Sequence, residues 1–382
     1  MSRIAARERL LAVYHKQPVD GVPVGVYTRY LPRGTSEREA RNFGLGILDF
    51  HPVASLIAPP WHTHAGYVSE VRGADLQVRF AFENGERVEI RTYDTPVGSV
   101  CQRSRTDPSY GSDWISKYYV QTREDYGVLA YLARHTILRT NEAALRARRS
   151  ELGDDGVVLG RVDRCPFQKV LIELAGPERF LVDLYTDPDP VLELLDALNR
   201  KMDAVFTLAL DSEADVIWQP DNISSATTPP NSFKRFCLPF YEKHGGECRH
   251  ADKPYFVHMD GRLKALKDLI ERAPIDGVES LSLPETAGDM SLAEAKAAWP
   301  DKVVLPNFPA SLCLRETAEI EAFLDRLVNE AGGGAPTMLQ FSEDIPCSEW
   351  ARVVPAVCRY LGCVGKSGVA PPLESGNARC HP

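Results

Sequence analysis

The chain has 382 residues, of which 44% are apolar, 25% charged and 9% aromatic. This is the composition of an ordinary globular protein with a large core, and it excludes a disordered, fibrous or coiled-coil chain. With 44 Lys and Arg against 53 Asp and Glu, the formal charge is −9, which argues against binding to nucleic acid or to an anionic membrane.

The amino terminus predicts neither a signal peptide nor a membrane anchor. The segment MSRIAARERLL carries charges through its first turns, whereas a signal peptide needs an uninterrupted apolar stretch. No apolar run approaches the roughly 20 residues of a membrane span. The nine cysteines are scattered and include no CxxC pair, which indicates reduced, mostly buried thiols and no disulfide framework. We therefore expect a cytoplasmic protein.

Short β-rich runs alternate with amphipathic helical patterns after an N-terminal helix. The predicted strands are Val22–Val26, Val53–Ala58, Val157–Val162, Asp215–Gln219, Tyr255–Met259, Gly277–Leu281, Val303–Asn307 and Thr337–Phe341. The predicted helices of the second half are Pro190–Leu210, Ser232–Cys248, Arg262–Arg272, Leu292–Trp299 and Glu316–Asn329. In the first of these helices, apolar residues recur at three- and four-residue steps and form one face; they are Val191, Leu194, Leu195, Leu198 and Met202.

Strands separated by helices of this length indicate parallel βαβ units. Eight such repeats in a chain of more than 250 residues predict an α/β fold of the (β/α)8 TIM-barrel type. A doubly wound open sheet is the main alternative, but the sequence has no glycine-rich dinucleotide fingerprint to support it.

One segment interrupts the alternation. Leu76–Phe82 and Arg87–Tyr93 flank Asn84-Gly85, and Asn-Gly between two alternating runs is a strong hairpin signal. We predict a β-hairpin inserted near residues 76–93, at the top of the barrel. Residues 1–363 then form a single barrel domain. Residues 364–382 have no apolar periodicity, and we expect a flexible tail there.

Polar residues at the carboxyl ends of barrel strands are the candidates for chemistry. We predict that the substrate is bound by residues at these strand ends, and that catalytic residues stand beside them. The substrate-binding candidates are Tyr27, Arg29, Arg33, His62, His64, Gln219, Asn222, Glu279 and Asn307, and the catalytic candidates are Asp221, His258, Asp260 and Glu343.

His258, Asp260 and Glu343 form the strongest of these combinations. His258 and Asp260 point to the same side if the strand continues, and Glu343 follows the last strand. Three such ligands can hold a divalent metal and leave a position open for substrate. The alternative is a histidine at the edge of the core, bonded to a neighbouring carboxylate.

The other candidates have equally plain structural interpretations. Arg29 and Arg33 can bind a substrate carboxylate or phosphate, but loop arginines are often only solvated or ion-paired. His62 and His64 either enter the pocket or lie in a solvated loop. Asp221 is either an orienting carboxylate or base, or a turn or N-cap aspartate.

The order of several segments resembles the uroporphyrinogen decarboxylase (URO-D) superfamily, which includes cobalamin-linked methyltransferases. The similar segments are RERLLAVYHKQPVDGVPV, LAGPERFLVDLYTDPDPVLELL, PPNSFKRFCLPFYEKH, YFVHMDGRLKALKDLIERAPIDGVESL and GDMSLAEAKAAWPDKVVLPNFP. The resemblance implies the same (β/α)8 barrel that the alternation predicts independently. It places the chain between the decarboxylases and the methyltransferases.

Departures from the two branches bear on function. The decarboxylases carry an arginine-rich M-R-Q-A-G-R segment after the first strand; here the place reads VYTRYLPRG, which argues against uroporphyrinogen as substrate. The methyltransferases hold zinc with an H-x-C pair and a later cysteine. The resemblance aligns His258 with the histidine and puts Asp260 and Glu343 where the cysteines stand. Harder oxygen ligands retain Zn²⁺ less selectively against another divalent metal, and they suit an oxygen-donor substrate better than a thiol.

Three functions remain open. The first is a methyltransferase or demethylase with a metal-assisted site, which exchanges methyl with a folate or with a corrinoid carried by a separate protein. The second is a metal-independent decarboxylase or lyase for a small carboxylated substrate. The third is a non-catalytic binding protein. The sequence leaves the substrate and the oligomeric state open, a homodimer included.

Overall fold

The computed structural model describes residues 5–54, 70–83, 85–106 and 113–367, and its strands fall into a barrel and an insertion. The strands are β1 Val24–Tyr27, β2 Leu45–Pro52, β3 Glu70–Val71, β4 Asp75–Glu83, β5 Glu86–Thr95, β6 Gly98–Thr106, β7 Asp113–Lys117, β8 Thr136–Ile137, β9 Gly156–Arg161, β10 Val216–Gln219, β11 Tyr255–His258, β12 Gly277–Leu281, β13 Val303–Pro306 and β14 Leu339–Phe341. Strands β1, β2 and β9–β14 are parallel and follow one another around a nearly closed barrel.

Helices surround this barrel. They are α1 Ala6–Tyr14, α2 Thr35–Asn42, α3 Glu124–His135, α4 Glu142–Leu152, α5 Pro166–Lys169, α6 Pro177–Thr186, α7 Pro188–Asp211, α8 Pro230–Ser232, α9 Leu238–His250, α10 Lys267–Arg272, α11 Leu292–Ala298, α12 Thr317–Ala331 and α13 Trp350–Ser367. Helix α5 continues as a π-helical turn, Val170–Leu174, and Phe233–Cys237 is a second π-helical turn between α8 and α9. Short 3₁₀ turns are Thr28–Tyr30, Gly153–Asp155, Lys264–Leu266, Pro284–Thr286 and Ala310–Leu314.

The barrel closes between its last and first strands. β14 pairs with β1, with Leu339 opposite Val24. On its other side, Asn307 and Gln340 form an isolated parallel bridge beyond the end of β13, and the Phe308 amide donates to the Gln340 carbonyl at 2.7 Å. The predicted TIM barrel is therefore confirmed, and the carboxyl ends of all eight strands meet at one rim.

The barrel interior is filled by alternate strand residues and capped by α1. Tyr27, Val157, Trp218 and Phe256 belong to one buried cluster that includes α1. Tyr14 of α1 meets Phe256 edge to face, with ring centroids 4.8 Å apart. A larger apolar cluster lies between the strands and the outer helices. The rim opposite α1 is thus the end open to chemistry.

The second predicted strand is misplaced. The barrel strand is β2, Leu45–Pro52, and not Val53–Ala58; Val53 and Ala54 only follow it, and residues 55–69 lie outside the described part of the chain. β2 carries Gly46, Asp49 and His51, so it is less apolar over its length than Val53–Ala58, whose only polar residue is Ser55. Apolar continuity alone therefore favoured the wrong segment.

The helix predictions hold with shifted ends. All five predicted face residues of α7 are buried. The helix predicted over Arg262–Arg272 is a 3₁₀ turn followed by α10, Lys267–Arg272. Helix α13 extends to Ser367, past the predicted domain boundary at residue 363.

The predicted hairpin is confirmed and belongs to a larger sheet. β4 and β5 pair in antiparallel register with Glu83 opposite Glu86. β6 and β7 extend this into a four-stranded antiparallel sheet that the sequence did not predict. Gln102 of β6 donates to the Glu173 carbonyl at 2.7 Å, so the sheet is attached beside the helix that follows β9.

Most described cysteines are free, as expected. Seven are free thiols: Cys101, Cys165, Cys237, Cys248, Cys313, Cys347 and Cys358. Cys363 is disulfide-bonded, which differs from the expectation of reduced thiols throughout. In the part of the chain that the structure describes, no helix is both long and apolar enough to cross a membrane.

Candidate functional site

Side chains from neighbouring strands converge at the open rim of the barrel. His258 ends β11, and Glu279 lies opposite it in β12. Tyr27 ends β1, and Trp218 lies in β10. Parallel pairing brings these positions together because equivalent ends of successive strands meet at the rim. We call His258, Asp260, Glu279 and the two aromatic residues the histidine cluster.

The Glu279 carboxylate is the centre of this cluster. Tyr27 donates to Oε1 at 2.5 Å, the Trp218 indole donates to Oε2 at 3.0 Å, and the His258 Nδ1 lies 2.6 Å from Oε2. Glu279 is fully buried. A buried carboxylate needs such partners, because an unpaired charge in the interior is very costly. Glu279 thereby fixes the orientation of the His258 ring.

The other ring nitrogen of His258 faces Asp260. Nε2 lies 3.4 Å from the Asp260 Oδ2. Burial opposes the charged ring, but the carboxylates of Glu279 and Asp260 outweigh it and raise the pKa of His258 to about 10. Burial would raise the pKa of Asp260, and the facing His258 holds it below its usual value. Near neutral pH the pair is therefore an imidazolium and a carboxylate.

Glu343 is a second group that holds a proton near neutral pH. It follows β14 at the same rim and is partly buried. Burial, followed by the negative charge of Asp260, raises the pKa of Glu343 to about 7, although His258 opposes this shift. The site thus contains a carboxyl group that can donate or accept a proton in the physiological range.

A second charged group lies beside the first, behind the end of β9. Lys169 donates to Asp163 at 3.0 Å and also to Glu173, while Arg164 donates to Glu173 at 2.8 Å. Lys201 of α7 lies 3.8 Å from Asp163. We call these five residues the lysine cluster. Positive and negative charges alternate within it, which lets them remain buried.

Asn222 connects the two clusters. Its side-chain oxygen accepts from Arg164 at 2.6 Å, and its amide donates to the Asp260 Oδ2 at 2.8 Å. Its backbone has φ of 51°, a left-handed conformation that asparagine tolerates better than most residues. Asn222 therefore links Arg164 to Asp260 through one hydrogen bond to each.

Gln219 and Asp221 lie beneath the rim and support it. Asp221 accepts from Gln219 at 2.8 Å, from the Tyr241 hydroxyl at 2.5 Å and from the Cys165 amide at 2.8 Å. Both residues are fully buried, and burial raises the pKa of Asp221. This placement favours a structural role for them, and their predicted catalytic and substrate-binding roles stay predictions.

Asn307 belongs to a buried polar group near the barrel closure. Its Oδ1 accepts from Ser342 at 2.9 Å, and the Ser342 and Ser280 hydroxyls are 2.7 Å apart. Gln340 accepts from the Ser280 amide at 3.1 Å. Asn307 therefore lies behind Glu343 on the same side of the rim.

The two predicted arginines lie in different surroundings. Arg29 donates to Asp344 at 3.2 Å and stacks over Tyr30, beside the last strand's carboxyl end. Arg33 is mostly exposed and lies 3.5 Å from Glu37 of α2. Arg29 therefore remains near the rim, whereas Arg33 lies on the protein surface just before α2. His62 and His64 lie outside the described residues.

Comparison with known proteins agrees with this architecture. Residues 116–348 match the family model described as uroporphyrinogen decarboxylase (URO-D), which is more than half of the 382-residue chain. The chain belongs to the URO-D family. It is similar in structure to a methyltransferase from Methanosarcina mazei, with a TM-score of 0.54, 13% identity, and coverage of 93% of this chain and 98% of that chain. At this identity the similarity concerns the fold. A comparison with curated protein sequences finds no match.

The metal site predicted for this URO-D chain is only partly assembled. His258 and Asp260 face one another, and Glu279 holds the ring as outer carboxylates hold metal-bound histidines. Glu343 makes no hydrogen bond or ion pair with His258 or Asp260, all of them described residues, and no three described His, Cys, Asp or Glu side chains are placed to hold a metal ion. The three residues do not fit a metal centre as they lie, and metal binding stays a prediction.

Sequence reasoning missed the lysine cluster and Trp218. The signal for the cluster was available, because Asp163 and Arg164 directly follow the predicted strand Val157–Val162. The same rule that selected the other strand ends applies to this one. Lys169 and Glu173 are spaced four residues apart, as helical ion pairs are. Trp218 gave no such signal, since an indole inside an apolar strand looks like an ordinary core residue.

Proposed function

We propose that this URO-D family chain is an enzyme that moves a methyl group between a small methoxy or methylamino compound and either a folate or a corrinoid carried by a separate protein. The observation that carries the proposal is His258, which Glu279 and Asp260 hold as a charged ring at the open rim. The similar solved structure is named a methyltransferase, and for this reason we put methyl transfer first.

The histidine cluster suits the proton requirement of this reaction. The methyl group leaves with the charge of CH₃⁺ and bonds to the nucleophilic acceptor. The C–O or C–N bond breaks, and its electron pair stays on the departing oxygen or nitrogen. A proton delivered to that atom lowers the barrier. His258 and Glu343 both hold a proton near neutral pH, and Asp260 can position the departing group.

The test incubates the purified chain with cob(I)alamin and a panel of methoxy and methylamino compounds. The loss of cob(I)alamin absorbance measures methyl transfer. We expect turnover by the wild type and a loss of about 10²–10⁴-fold in His258→Gln, since general acid catalysis contributes this much. The control is His250→Gln, because His250 is exposed at the end of α9. Equal rates in the two variants would contradict the proposed role of His258.

A divalent metal, zinc or another ion, is a separate part of the proposal. Its test is the metal content of protein purified without chelator or affinity tag, with His258→Ala beside it. About one ion per chain, lost in the variant, would support the predicted ligands His258, Asp260 and Glu343. No metal after reconstitution, together with turnover that survives chelation, would leave acid–base chemistry as the mechanism.

A metal-independent decarboxylase or lyase is the second candidate. The observation that favours it is Glu343, whose carboxyl can protonate a carbon after CO₂ departs, and Arg29 remains near the rim to hold a carboxylate. Arg33 lies on the surface and pairs with Glu37, which weakens the case for uroporphyrinogen itself. CO₂ release from small carboxylates without methyl transfer would favour this candidate. Binding without either reaction would favour a binding protein.

A further inference from the structure

A cavity of about 390 Å³ lies between the inserted sheet and helices α3, α5 and α7. Its walls come from β5–β7, from α3 and α7, and from the π-helical turn after α5. This volume lies in the usual range of small-molecule sites. The cavity stands to one side of the barrel axis, and Asn222 lines it. It therefore reaches the histidine cluster through the same residue that joins the two clusters.

Part of the cavity wall is apolar and aromatic. Tyr93 and Tyr119 line it with their rings 5.9 Å apart, and Trp114, Ile172 and Leu174 complete this wall. Burial raises the pKa of both tyrosines, so their hydroxyls stay neutral. Such a wall suits a ring or a branched chain, because aromatic side chains offer large, rigid contact surfaces.

Another part of the cavity wall is charged, with more positive than negative side chains. Arg91, Arg164, Lys169 and Lys201 line it, against Glu89 and Glu173. Asp163, which pairs with Lys169 and Lys201, adds a third carboxylate behind this wall. Among these described residues, positive groups therefore exceed negative ones by one. Uncompensated buried charge is costly, and an anion bound beside it would offset that cost.

We propose that this cavity binds an organic anion, a carboxylate attached to an aromatic or branched apolar body, with the carboxylate beside Lys169 and Lys201 and the body against the tyrosine wall. Asn222 lies at the end of the cavity nearest Asp260, so the bound molecule is placed to present its reactive end to the histidine cluster. This extends the proposed function by assigning its substrate class.

A binding experiment with two probes tests the charge preference. The anionic probe is 8-anilinonaphthalene-1-sulfonate, and the neutral control is N-phenyl-1-naphthylamine, which has the same rings without the sulfonate. We expect saturable binding of the anionic probe. The neutral probe should bind about tenfold more weakly, because it lacks the sulfonate that contacts a cation. Equal affinities, or no saturable binding of the anionic probe, would overturn the proposal.

Variants then locate the probe. Ser104 lines the cavity from β6, so Ser104→Trp should fill it and weaken the anionic probe about tenfold or more. The control is Ser150→Trp, on the exposed surface of α4 and outside the cavity lining, which should leave binding unchanged. Lys201→Met should weaken the anionic probe and spare the neutral one. Thermal unfolding of each variant identifies one that fails to fold, and the two-probe comparison in the wild type needs no variant.

The outcomes separate this inference from the proposed reaction. Anion-selective binding that Ser104→Trp removes, without methyl transfer or CO₂ release, would support the cavity and contradict the reaction. Turnover by a protein that binds both probes equally would support the reaction and overturn the assignment of an anionic substrate to this cavity.

Discussion

The histidine cluster and the lysine cluster are both buried, but they carry opposite excess charge. The first has one positive ring between two carboxylates, and the second has three cations against two carboxylates. The histidine cluster takes its members from β1, β10, β11 and β12 and from Asp260, just after β11. The lysine cluster comes mainly from one short stretch, 163–173. Asn222 joins them. The comparison teaches that a group of buried ion pairs can form within one short stretch of chain, whereas the surroundings of His258 need strand ends that meet only at the barrel rim.

The largest expected effect comes from the lysine cluster. Lys169→Met leaves Asp163 and Glu173 without the cation that both of them contact. We expect the free energy of unfolding to fall by about 3–5 kcal/mol, as for other buried ion pairs that lose one partner. Urea unfolding measures it. Lys243→Met is the control, because its pair with Asp203 is exposed, and it should cost less than about 1 kcal/mol. Similar losses in the two variants would mean that the cluster is not structural.

The next effect concerns the proton on His258. Glu279→Gln keeps the shape of the side chain and removes the charge that most raises the pKa of His258. We expect that pKa to fall from about 10 by about 1–3 pH units, measured by NMR of the labelled imidazole. In the wild type, the stabilisation by this ring is complete below the ordinary histidine pKa of 6.5 and is lost as pH rises through about 10. The control is Glu294→Gln, on the exposed side of α11, which should leave the pKa of His258 unchanged. An unchanged pKa of His258 in Glu279→Gln would contradict the assignment of Glu279 as the group that raises it.

Glu343 should make stability fall with rising pH. Its pKa is about 7 in the folded chain against 4.5 for an unperturbed glutamate, so the folded state binds its proton more tightly. Above pH 4.5 the unfolded state loses this proton while the folded state still holds it. The free energy of unfolding therefore falls as pH rises, until Glu343 has lost its proton in both states. The unfolding free energy of the wild type relative to Glu343→Gln should drop by about 1–3 kcal/mol between about pH 4.5 and pH 8. A constant difference across this range would rule out the raised pKa.

The smallest effect is expected at Asn222, where two variants distinguish the contribution of the side-chain hydrogen bonds from that of the left-handed backbone. Asn222→Gly removes the hydrogen bonds to Arg164 and Asp260 while tolerating the left-handed backbone, and we expect a loss of about 1–2 kcal/mol in unfolding free energy. Asn222→Ala should lose about 1 kcal/mol more, because a Cβ is disfavoured at this φ. Chemical unfolding of both variants measures the difference. Equal losses would mean that the backbone conformation at Asn222 is not strained for alanine.

Much of the fold was readable because its signals are local. The alternation of strands and helices predicted the barrel, and Asn84-Gly85 between two alternating runs predicted the hairpin that joins β4 to β5. The misplaced second strand shows the limit of such signals. β2 is recognised by its pairing with β1 and β9, and a partner such as β9, more than 100 residues away, leaves no trace in a window of a few residues.

For the site, the sequence by itself determined which residue types stand at most strand ends, and His258, Asp260, Glu279 and Glu343 were all among the candidates. Only the tertiary structure decided their roles. Glu279 became the anchor of His258 because parallel pairing sets it opposite that residue, and Asp221 became a buried acceptor because three donors from separate elements meet it. Protonation follows from burial and from neighbouring charges. Both depend on contacts between distant segments, which composition and spacing do not encode.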